Sequence, residues 1–329
     1  MGPYHLDVIL GPGGTRPAAV AGDPRTRVVR WMAVLAVIAG VVLGADLTAA
    51  TRVGQPEHHR ALAQSIPLAV IAPPVVDPAP PPPPPPPVAP ARQLHPGQRV
   101  VMDPATSWAV LIGVQHYDAP THPTFGAVGD VAAFNRVLTK AGWLPSHVLA
   151  LTDRQATAAG IRDAMRWLAD HSTPDGFSLF HYSGHVLQTG GRELLWGVDN
   201  GLIPNDEFAA GMSAVRGRAW VDIAGCESAG FDQGVSTPDR FYTSSSMTTQ
   251  KSYEEPKWGE SVWTGFLVDQ ALLAGRSGQG QPSIQAAVRW SQQQARTYTS
   301  LQVPFGPQDP YAVGGDGEWF LGPGVAPAA

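Results

Sequence analysis

The sequence predicts an α/β fold, a sandwich in which a mostly parallel central sheet lies between helices. The main observation is that short apolar runs alternate with amphipathic stretches after Asp103, a pattern typical of parallel strands joined by helices. In addition, 43% of the 329 residues are hydrophobic, which is enough to bury a full core. The single cysteine excludes an internal disulfide, so packing has to stabilise the fold.

The predicted elements follow one another in a regular order. A first strand over residues 108–114 precedes a helix over 129–142 that ends at Gly142. A second strand over 147–153 precedes a helix over 157–170, with Thr157 as its N-cap. The later segments are strand 176–184, helix 203–215, strands 217–225 and 240–246, helices 261–275 and 283–298, and a surface loop over 302–315. Such sheets carry their chemistry just past the carboxyl ends of the strands.

The residues before the predicted domain divide into three segments. Residues 1–24 are expected to form a disordered cytoplasmic tail, residues 25–50 a signal-anchor or signal-peptide segment, and residues 51–103 a proline-rich linker. The folded domain is predicted over 104–321, followed by a disordered tail over 322–329.

The apolar run from Trp31 to Ala45 follows several arginines, which by the positive-inside rule stay in the cytoplasm. Its 15 residues suit a secretion signal, and the two preceding valines lengthen it toward a membrane span. We therefore expect a single-pass membrane protein whose domain is extracytoplasmic, or a secreted protein if the signal is cut after Ala49 or Ala50. The formal net charge is −5 and the globular part has no basic run, so the sequence does not predict a basic surface for binding nucleic acid.

Cys226 and His185 both follow predicted buried strands. Cys226 comes directly after the strand at 217–225, and His185 lies in the turn after the strand at 176–184. If these strands are neighbours, about 4.8 Å apart, the imidazole comes within reach of the sulfur. An imidazole beside a thiol can take its proton and later protonate a leaving amine. A buried, inert cysteine is the alternative. However, Cys226 is surrounded by glycines, Ser228 and Glu227, a sequence that is not typical of a hydrophobic core.

A metal centre is not expected. His181 and His185 share a strand face but lie about 13 Å apart, too far for one ion. The chain has no His-Glu-x-x-His motif and no carboxylate cluster with the spacing of a calcium loop. We expect neither an obligatory metal nor another cofactor.

The sequence resembles bacterial caspase-like cysteine peptidases, in particular the metacaspases, over roughly residues 105–315. "WAVLIGVQHYDAP" and "FGAVGDVAAFNRVLTKAGW" are similar to the first strand and first helix of that family. "FHYSGH" resembles its catalytic histidine motif, and "GCESAGF" its cysteine motif. The resemblance implies a caspase-like three-layer α/β/α sandwich and a cysteine endopeptidase that acts on peptides or proteins.

The resemblance also implies roles for individual residues. His185 would be the general base and Cys226 the nucleophile, and backbone N–H groups at Gly184 and Cys226 would bind the oxyanion. Asp130 and Ser183 would line an acidic pocket for Arg or Lys before the scissile bond.

Three residues depart from the family pattern. Val186 replaces a glycine after the histidine and restricts the backbone there. Ala224 replaces an aspartate of the acidic pocket, and Asp222, deeper on the same strand face, is the candidate to replace it in part. Glu227 follows the cysteine, where its carboxylate tends to raise the thiol pKa.

Two functions follow from these observations. The first is an endopeptidase that forms an acyl-enzyme at Cys226 and prefers a basic residue before the cut, with one intact catalytic chain because only 13 residues separate Cys226 from Arg240. The alternative is a catalytically inactive caspase-like domain that binds a peptide or wall partner at the cell envelope, which Val186, Ala224 and Glu227 favour.

Overall fold

A computed structural model of the chain describes residues 98–278, 282–302 and 306–323. The strands, in chain order, are β1 Arg99–Val101, β2 Ser107–Gly113, β3 Val148–Thr152, β4 Phe177–Ser183, β5 Val186–Thr189, β6 Arg192–Trp196, β7 Leu202–Pro204, β8 Arg218–Ala224, β9 Arg240–Ser244, β10 Glu254–Glu255, β11 Glu260–Ser261, β12 Tyr311–Val313 and β13 Glu318–Phe320. The helices are α1 Ala127–Lys140, α2 Ala158–His171, α3 Asn205–Ser213, α4 Val262–Thr264, which continues as a π-helix over Gly265–Leu273, and α5 Ile284–Tyr298.

The central sheet has six strands in the order β12-β9-β8-β4-β2-β3. Five of them are parallel, and β12 pairs antiparallel with β9 at one edge. The predicted mostly parallel sheet is therefore confirmed. β4 and β8 pair directly, with Ser183 opposite Ala224 at their carboxyl ends. This pairing meets the condition under which Cys226 and His185 leave the same edge of the sheet.

Helices cover both faces of the sheet because successive strand side chains point to opposite sides. On β2, Leu111 packs into one core with α1, α4 and α5, whereas Ile112 packs into a second core with α2 and α3. The result is three layers, as in the predicted α/β/α sandwich. Thr157 caps α2 by accepting the N–H of Gly160, and Gly142 follows α1 with a φ of 90°.

The structure adds elements that the sequence analysis did not predict. Arg99–Val101, assigned to the linker, forms a strand that pairs with β13, so the folded part begins before residue 104. β5, β6 and β7 form a separate antiparallel sheet directly after His185. β12 lies within residues 302–315, for which a loop was expected. A three-residue strand is too short to show a periodicity, and its pairing partner defines it.

None of the helices within the described ranges is long and apolar enough to span a membrane. The predicted tail over 1–24, the apolar segment over 25–50 and nearly all of the linker lie outside those ranges.

Candidate active site

The carboxyl edge of β4 and β8 brings the predicted catalytic residues into adjacent turns. The N–H of Gly184 donates to the carbonyl of Ala224 at 3.1 Å. A Cβ built on Gly225 would lie 2.8 Å from the Gly184 carbonyl oxygen. Each glycine directly precedes one predicted catalytic residue, so His185 and Cys226 leave the sheet from backbone segments that touch. Their side chains bond to other groups, the His185 ring to the His122 carbonyl and the Cys226 sulfur to the Ser252 N–H.

Two tyrosines hold the backbone of His185. Its N–H donates to the Tyr117 hydroxyl at 2.7 Å, and the Tyr182 hydroxyl donates to its carbonyl at 2.8 Å. The Tyr117 ring also lies 4.8 Å from the imidazole, between ring centres. Tyr117 comes from the loop after β2 and Tyr182 from β4, so two neighbouring strands position this histidine.

The imidazole of His185 has a defined tautomer. Its Nε2 lies 2.8 Å from the carbonyl oxygen of His122. Because a carbonyl only accepts, Nε2 carries the hydrogen, and in the neutral ring Nδ1 keeps its lone pair. Burial lowers the pKa of His185 from its ordinary value, although the bond to His122 opposes this shift. At neutral pH the ring is therefore an uncharged base with Nδ1 open to accept a proton.

The thiol of Cys226 lies under the segment that follows β9. Its sulfur accepts the N–H of Ser252 at 3.4 Å and lies 4.0 Å from the Ser252 carbonyl oxygen. Burial raises the pKa of Cys226. The bond from Ser252 and the positive charge of Lys251 oppose this shift, while Glu227 and Glu254 add to it. At neutral pH the cysteine is a thiol, so it depends on a base to become a nucleophile.

Glu227 directly follows Cys226 in a left-handed conformation, with a φ of 57°. Its carboxylate pairs with Lys251 at 2.7 Å, and its N–H donates to the carbonyl of Gln250 at 2.8 Å. The predicted rise in the thiol pKa through Glu227 has the direction found here, although burial of the thiol is its largest cause.

The backbone donors predicted for the oxyanion differ in their surroundings. The Gly184 N–H bonds to Ala224 within the sheet edge, and this bond would have to break before the group could bind a substrate oxygen. Val186, at the position of the family glycine, packs its side chain over Gly225, where a Cβ would meet its Cγ2 at 2.8 Å. The branched residue therefore fits here because residue 225 lacks a side chain.

Asp130 and Ser183, both predicted to line a substrate pocket, contact each other. The Ser183 hydroxyl donates to Asp130 Oδ2 at 2.7 Å, and the N–H of Ser261 donates to Oδ1 at 2.8 Å. The Asp130 side chain is fully buried, and this burial raises its pKa to about 7. The Asp130–Ser183 pair adjoins the carboxyl edge of β4 and β8, because Ser183 is the last residue of β4.

Asp222, the third predicted pocket residue, lies inside the core. It is fully buried and accepts bonds from His181 Nδ1 at 2.9 Å, from Trp263 Nε1 at 2.9 Å and from the Thr243 hydroxyl at 2.5 Å. Ala224, where the family has an aspartate, is also buried and belongs to the core beneath α1 and α4. The bonds of Asp222 thus join strands to α4.

A loop from residue 115 to 126 carries the His122 carbonyl. Asp153 Oδ1 accepts two N–H groups at its start, those of Gln115 and His116. The carboxylate of Glu254 accepts the N–H groups of Phe125 and Gly126 at its end, both at 2.8 Å. These bonds fix the acceptor that orients His185. Within the described part of the chain, no group of three or more histidine, cysteine or acidic side chains is arranged to hold a metal ion.

The family model for the caspase domain matches residues 106–271. This chain belongs to the caspase domain family. The match includes both strand ends that carry His185 and Cys226, and membership supports a cysteine-peptidase function for the domain. It also agrees with the parallel sheet and the three layers seen here.

Curated relatives with this domain are metacaspases. Metacaspase-1 of Schizosaccharomyces pombe is 31% identical over 114 residues, which cover 32% of this chain and 26% of that protein. Metacaspase-1 of Candida albicans is 33% identical over 87 residues, which cover 25% of this chain and 19% of that protein. The chain thus spans about a quarter of the length of these relatives or less. The crystal structure of caspase-1 from Spodoptera frugiperda superimposes with a TM-score of 0.49 at 14% identity, covering 66% of this chain and 90% of that one.

Several residues that contact His185 and Cys226 were not predicted. Tyr117, His122 and Ser252 contact the two predicted catalytic residues from loops distant in sequence. One signal was available for Tyr117 and His122: they follow the first parallel strand, whose carboxyl end opens on the same edge. Ser252 is contributed by a loop without any motif.

Proposed function

We propose that the chain is a cysteine endopeptidase in which Cys226 is the nucleophile and His185 the general base. The observation that carries the proposal is the contact between Gly184 and Gly225, because it brings the two following residues to one edge of the sheet. The defined tautomer of His185 supports it further, since its free Nδ1 is the atom that a general base needs.

The chemistry begins from two uncharged groups. His185 Nδ1 takes the thiol proton as the sulfur attacks the peptide carbonyl carbon, and the carbonyl oxygen becomes an oxyanion that the Cys226 N–H binds. The C–N bond then breaks, and the imidazolium gives its proton to the leaving amine. Water hydrolyses the thioester with His185 again as base, which restores the thiol. The segment that carries Ser252 has to move away from the Cys226 sulfur before a substrate can reach it.

The test is peptide hydrolysis by the full chain and by single variants, with cleaved products mapped by mass spectrometry. Cys226→Ala and His185→Ala should each lower kcat/KM by a hundredfold or more, within the range known for such groups. His116→Ala is the matched control, because the ring of this exposed histidine is also held by an oxygen acceptor, the Asp153 carboxylate, but lies outside the dyad. If wild type and Cys226→Ala behave alike, the chain is the non-catalytic binding domain that the sequence left as the alternative.

A preference for Arg or Lys before the scissile bond is the second part of the proposal. Asp130 supports it as a buried carboxyl beside the catalytic edge whose hydrogen bond to Ser183 a guanidinium could replace. Paired substrates with arginine or the neutral citrulline at this position isolate the charge. Wild type should favour arginine at least tenfold, and Asp130→Asn should reduce this ratio toward one. Equal cleavage of both substrates by wild type would contradict the preference.

The third part concerns location. Arginines before the apolar run of residues 31–45 support export of the domain, with the run as anchor or cleaved signal. An alkaline phosphatase fused after residue 60 of this chain should be active, since it requires export. N-terminal sequencing of the mature chain then separates the two cases: a start near residue 50 indicates cleavage. An inactive but expressed fusion would contradict export.

A further inference from the structure

The carbonyl oxygen of Gly225 lies within hydrogen-bond distance of three serine hydroxyls. Ser228 Oγ lies 2.8 Å from it, Ser246 Oγ 2.9 Å and Ser245 Oγ 3.0 Å. All three serines are fully buried. Ser228, Ser245 and Ser246 together form what we name the serine clamp. A carbonyl has two lone pairs, so the clamp more than satisfies this acceptor.

The clamp is assembled from two chain segments. Ser245 and Ser246 extend the chain beyond β9, where the N–H of Ser245 donates to the carbonyl of Ile223 on β8. Ser228 lies on the other side of the nucleophile and begins a short 3-10 helix over Ser228–Asp232. Ser245 also accepts the N–H of Gly225 at 2.9 Å, so both polar backbone groups of this glycine are fixed.

The bonded carbonyl belongs to the same peptide unit as the Cys226 N–H. In a trans peptide the C=O and N–H point in opposite directions. Since the carbonyl points at the buried serines, the Cys226 N–H points away from them. Hydrogen bonds to a carbonyl polarise the whole amide and strengthen its N–H as a donor, by an estimated 10–30% per bond.

Other donors at this edge are already engaged. The Gly184 N–H bonds to Ala224, and the His185 N–H bonds to Tyr117. The oxyanion therefore depends more heavily on the Cys226 N–H than it would in a site with two free donors.

We propose that the serine clamp is a positioning device that orients and polarises the Gly225–Cys226 peptide, so that its N–H stabilises the oxyanion. The clamp residues do not touch substrate and act through this peptide. The inference rests on the proposed function for its catalytic consequence, whereas the polarised peptide itself exists in the resting protein and can be measured there.

The kinetic test compares full-chain Ser245→Ala, Ser246→Ala and the double variant with wild type. Each single variant should lower kcat about tenfold, the effect of about 1.4 kcal/mol, and the double variant on the order of a hundredfold, with KM changed less than about twofold. Ser244→Ala is the matched control, because Ser244 is equally buried in the same run but donates to the Ser246 carbonyl at 3.1 Å. It should keep kcat within about threefold of wild type.

Alkylation of Cys226 by iodoacetamide distinguishes a weaker oxyanion donor from a less reactive thiol. Alkylation forms no oxyanion, so its rate should stay within about twofold of wild type in the same variants. A parallel fall in alkylation and kcat would overturn the proposal, because the serines would then be acting on the thiol or on the general fold. Ser228→Ala, on the other segment, replaces any clamp variant that does not fold and should give the same split.

The spectroscopic test does not depend on turnover. The amide nitrogen shift of a residue responds to hydrogen bonds on the preceding carbonyl, so the Cys226 ¹⁵N resonance should move upfield in the clamp variants and stay in place in Ser244→Ala. An unchanged resonance would overturn the clamp. If the clamp variants show the upfield shift but wild type hydrolyses no peptide, the proposed function fails while the clamp stands.

Discussion

Replacing Asp222 with alanine tests whether this carboxylate belongs to the core or to a substrate pocket. The residue is fully buried and accepts bonds from His181, Trp263 and Thr243. The Thr243 hydroxyl keeps an acceptor in the Asp222→Ala variant because it also donates to the Val221 carbonyl at 3.5 Å. The ring N–H groups of the other two residues lose their acceptor inside the core.

The expected loss of stability follows from these two orphaned donors. A buried donor without a partner costs about 1–3 kcal/mol, so Asp222→Ala should destabilise the chain by about 4 kcal/mol. For a domain of this size, 1 kcal/mol lowers the Tm by about 2–4 °C, so the Tm should fall by about 8–16 °C. Thermal and urea unfolding of the full chain, followed by circular dichroism, measures both quantities.

Asp269→Ala is the control for Asp222→Ala. Its carboxylate pairs with Arg136 at 2.8 Å, but the two side chains are 41% and 50% exposed, so its removal should cost less than about 1 kcal/mol. A loss below 1 kcal/mol for Asp222→Ala, together with a lost preference for arginine over citrulline, would refute the assignment of Asp222 to the core. It would support the pocket role that the sequence indicated.

Three further predictions concern the same edge of the sheet. The pKa of about 7 for buried Asp130, against an ordinary 3.8, means that the folded state holds this proton longer. As pH rises from about 4 to 7, the unfolding free energy of wild type should therefore fall by a few kcal/mol relative to that of Asp130→Asn, as measured by urea titrations. Parallel plots of unfolding free energy against pH for the two proteins would contradict this. Gly225→Ala places a Cβ 2.8 Å from the Gly184 carbonyl oxygen and should cost about 1–3 kcal/mol of stability and most of kcat. Gly278→Ala is the control, because its added Cβ meets open space and should change neither quantity. Equal effects of the two substitutions would contradict the close contact. Lys251→Met removes a charge that lowers the Cys226 pKa, so alkylation of Cys226 by iodoacetamide at pH 8 should slow about two- to fivefold. Lys257→Met, at an exposed lysine, is the control. An unchanged rate in Lys251→Met would contradict the charge effect.

The sheet was predictable because each buried strand carries its own apolar run. The strands at 107–113, 177–183 and 218–224 have nearly the predicted bounds. The β5–β6 hairpin was missed although its turn has a signal, since Gly190 and Gly191 both adopt positive φ, the conformation of a tight hairpin turn. β1 and β13 are three residues each, and their parallel pairing joins opposite ends of the domain, which local patterns do not reveal.

The candidate site also contains residues that the sequence could place and others that it could not. His185 and Cys226 could be placed at this edge from sequence because each comes two residues after a strand, and the pairing of β4 with β8 brings the two turns together. The His122 carbonyl and the Ser252 N–H are backbone groups of loops, so no side-chain motif marks them. The bond between Asp222 and Trp263 was not predicted either, because Trp263 comes from a helix 41 residues away.

The most direct test of the Cys226–His185 dyad is covalent labelling by a peptidyl acyloxymethyl ketone with arginine at its reactive end, mapped by mass spectrometry. We predict one label per chain, on Cys226, at a rate that falls at least a hundredfold in His185→Ala and is unchanged in His116→Ala. Labelling of wild type no faster than a small-molecule thiol, or at the same rate in His185→Ala, would contradict the dyad.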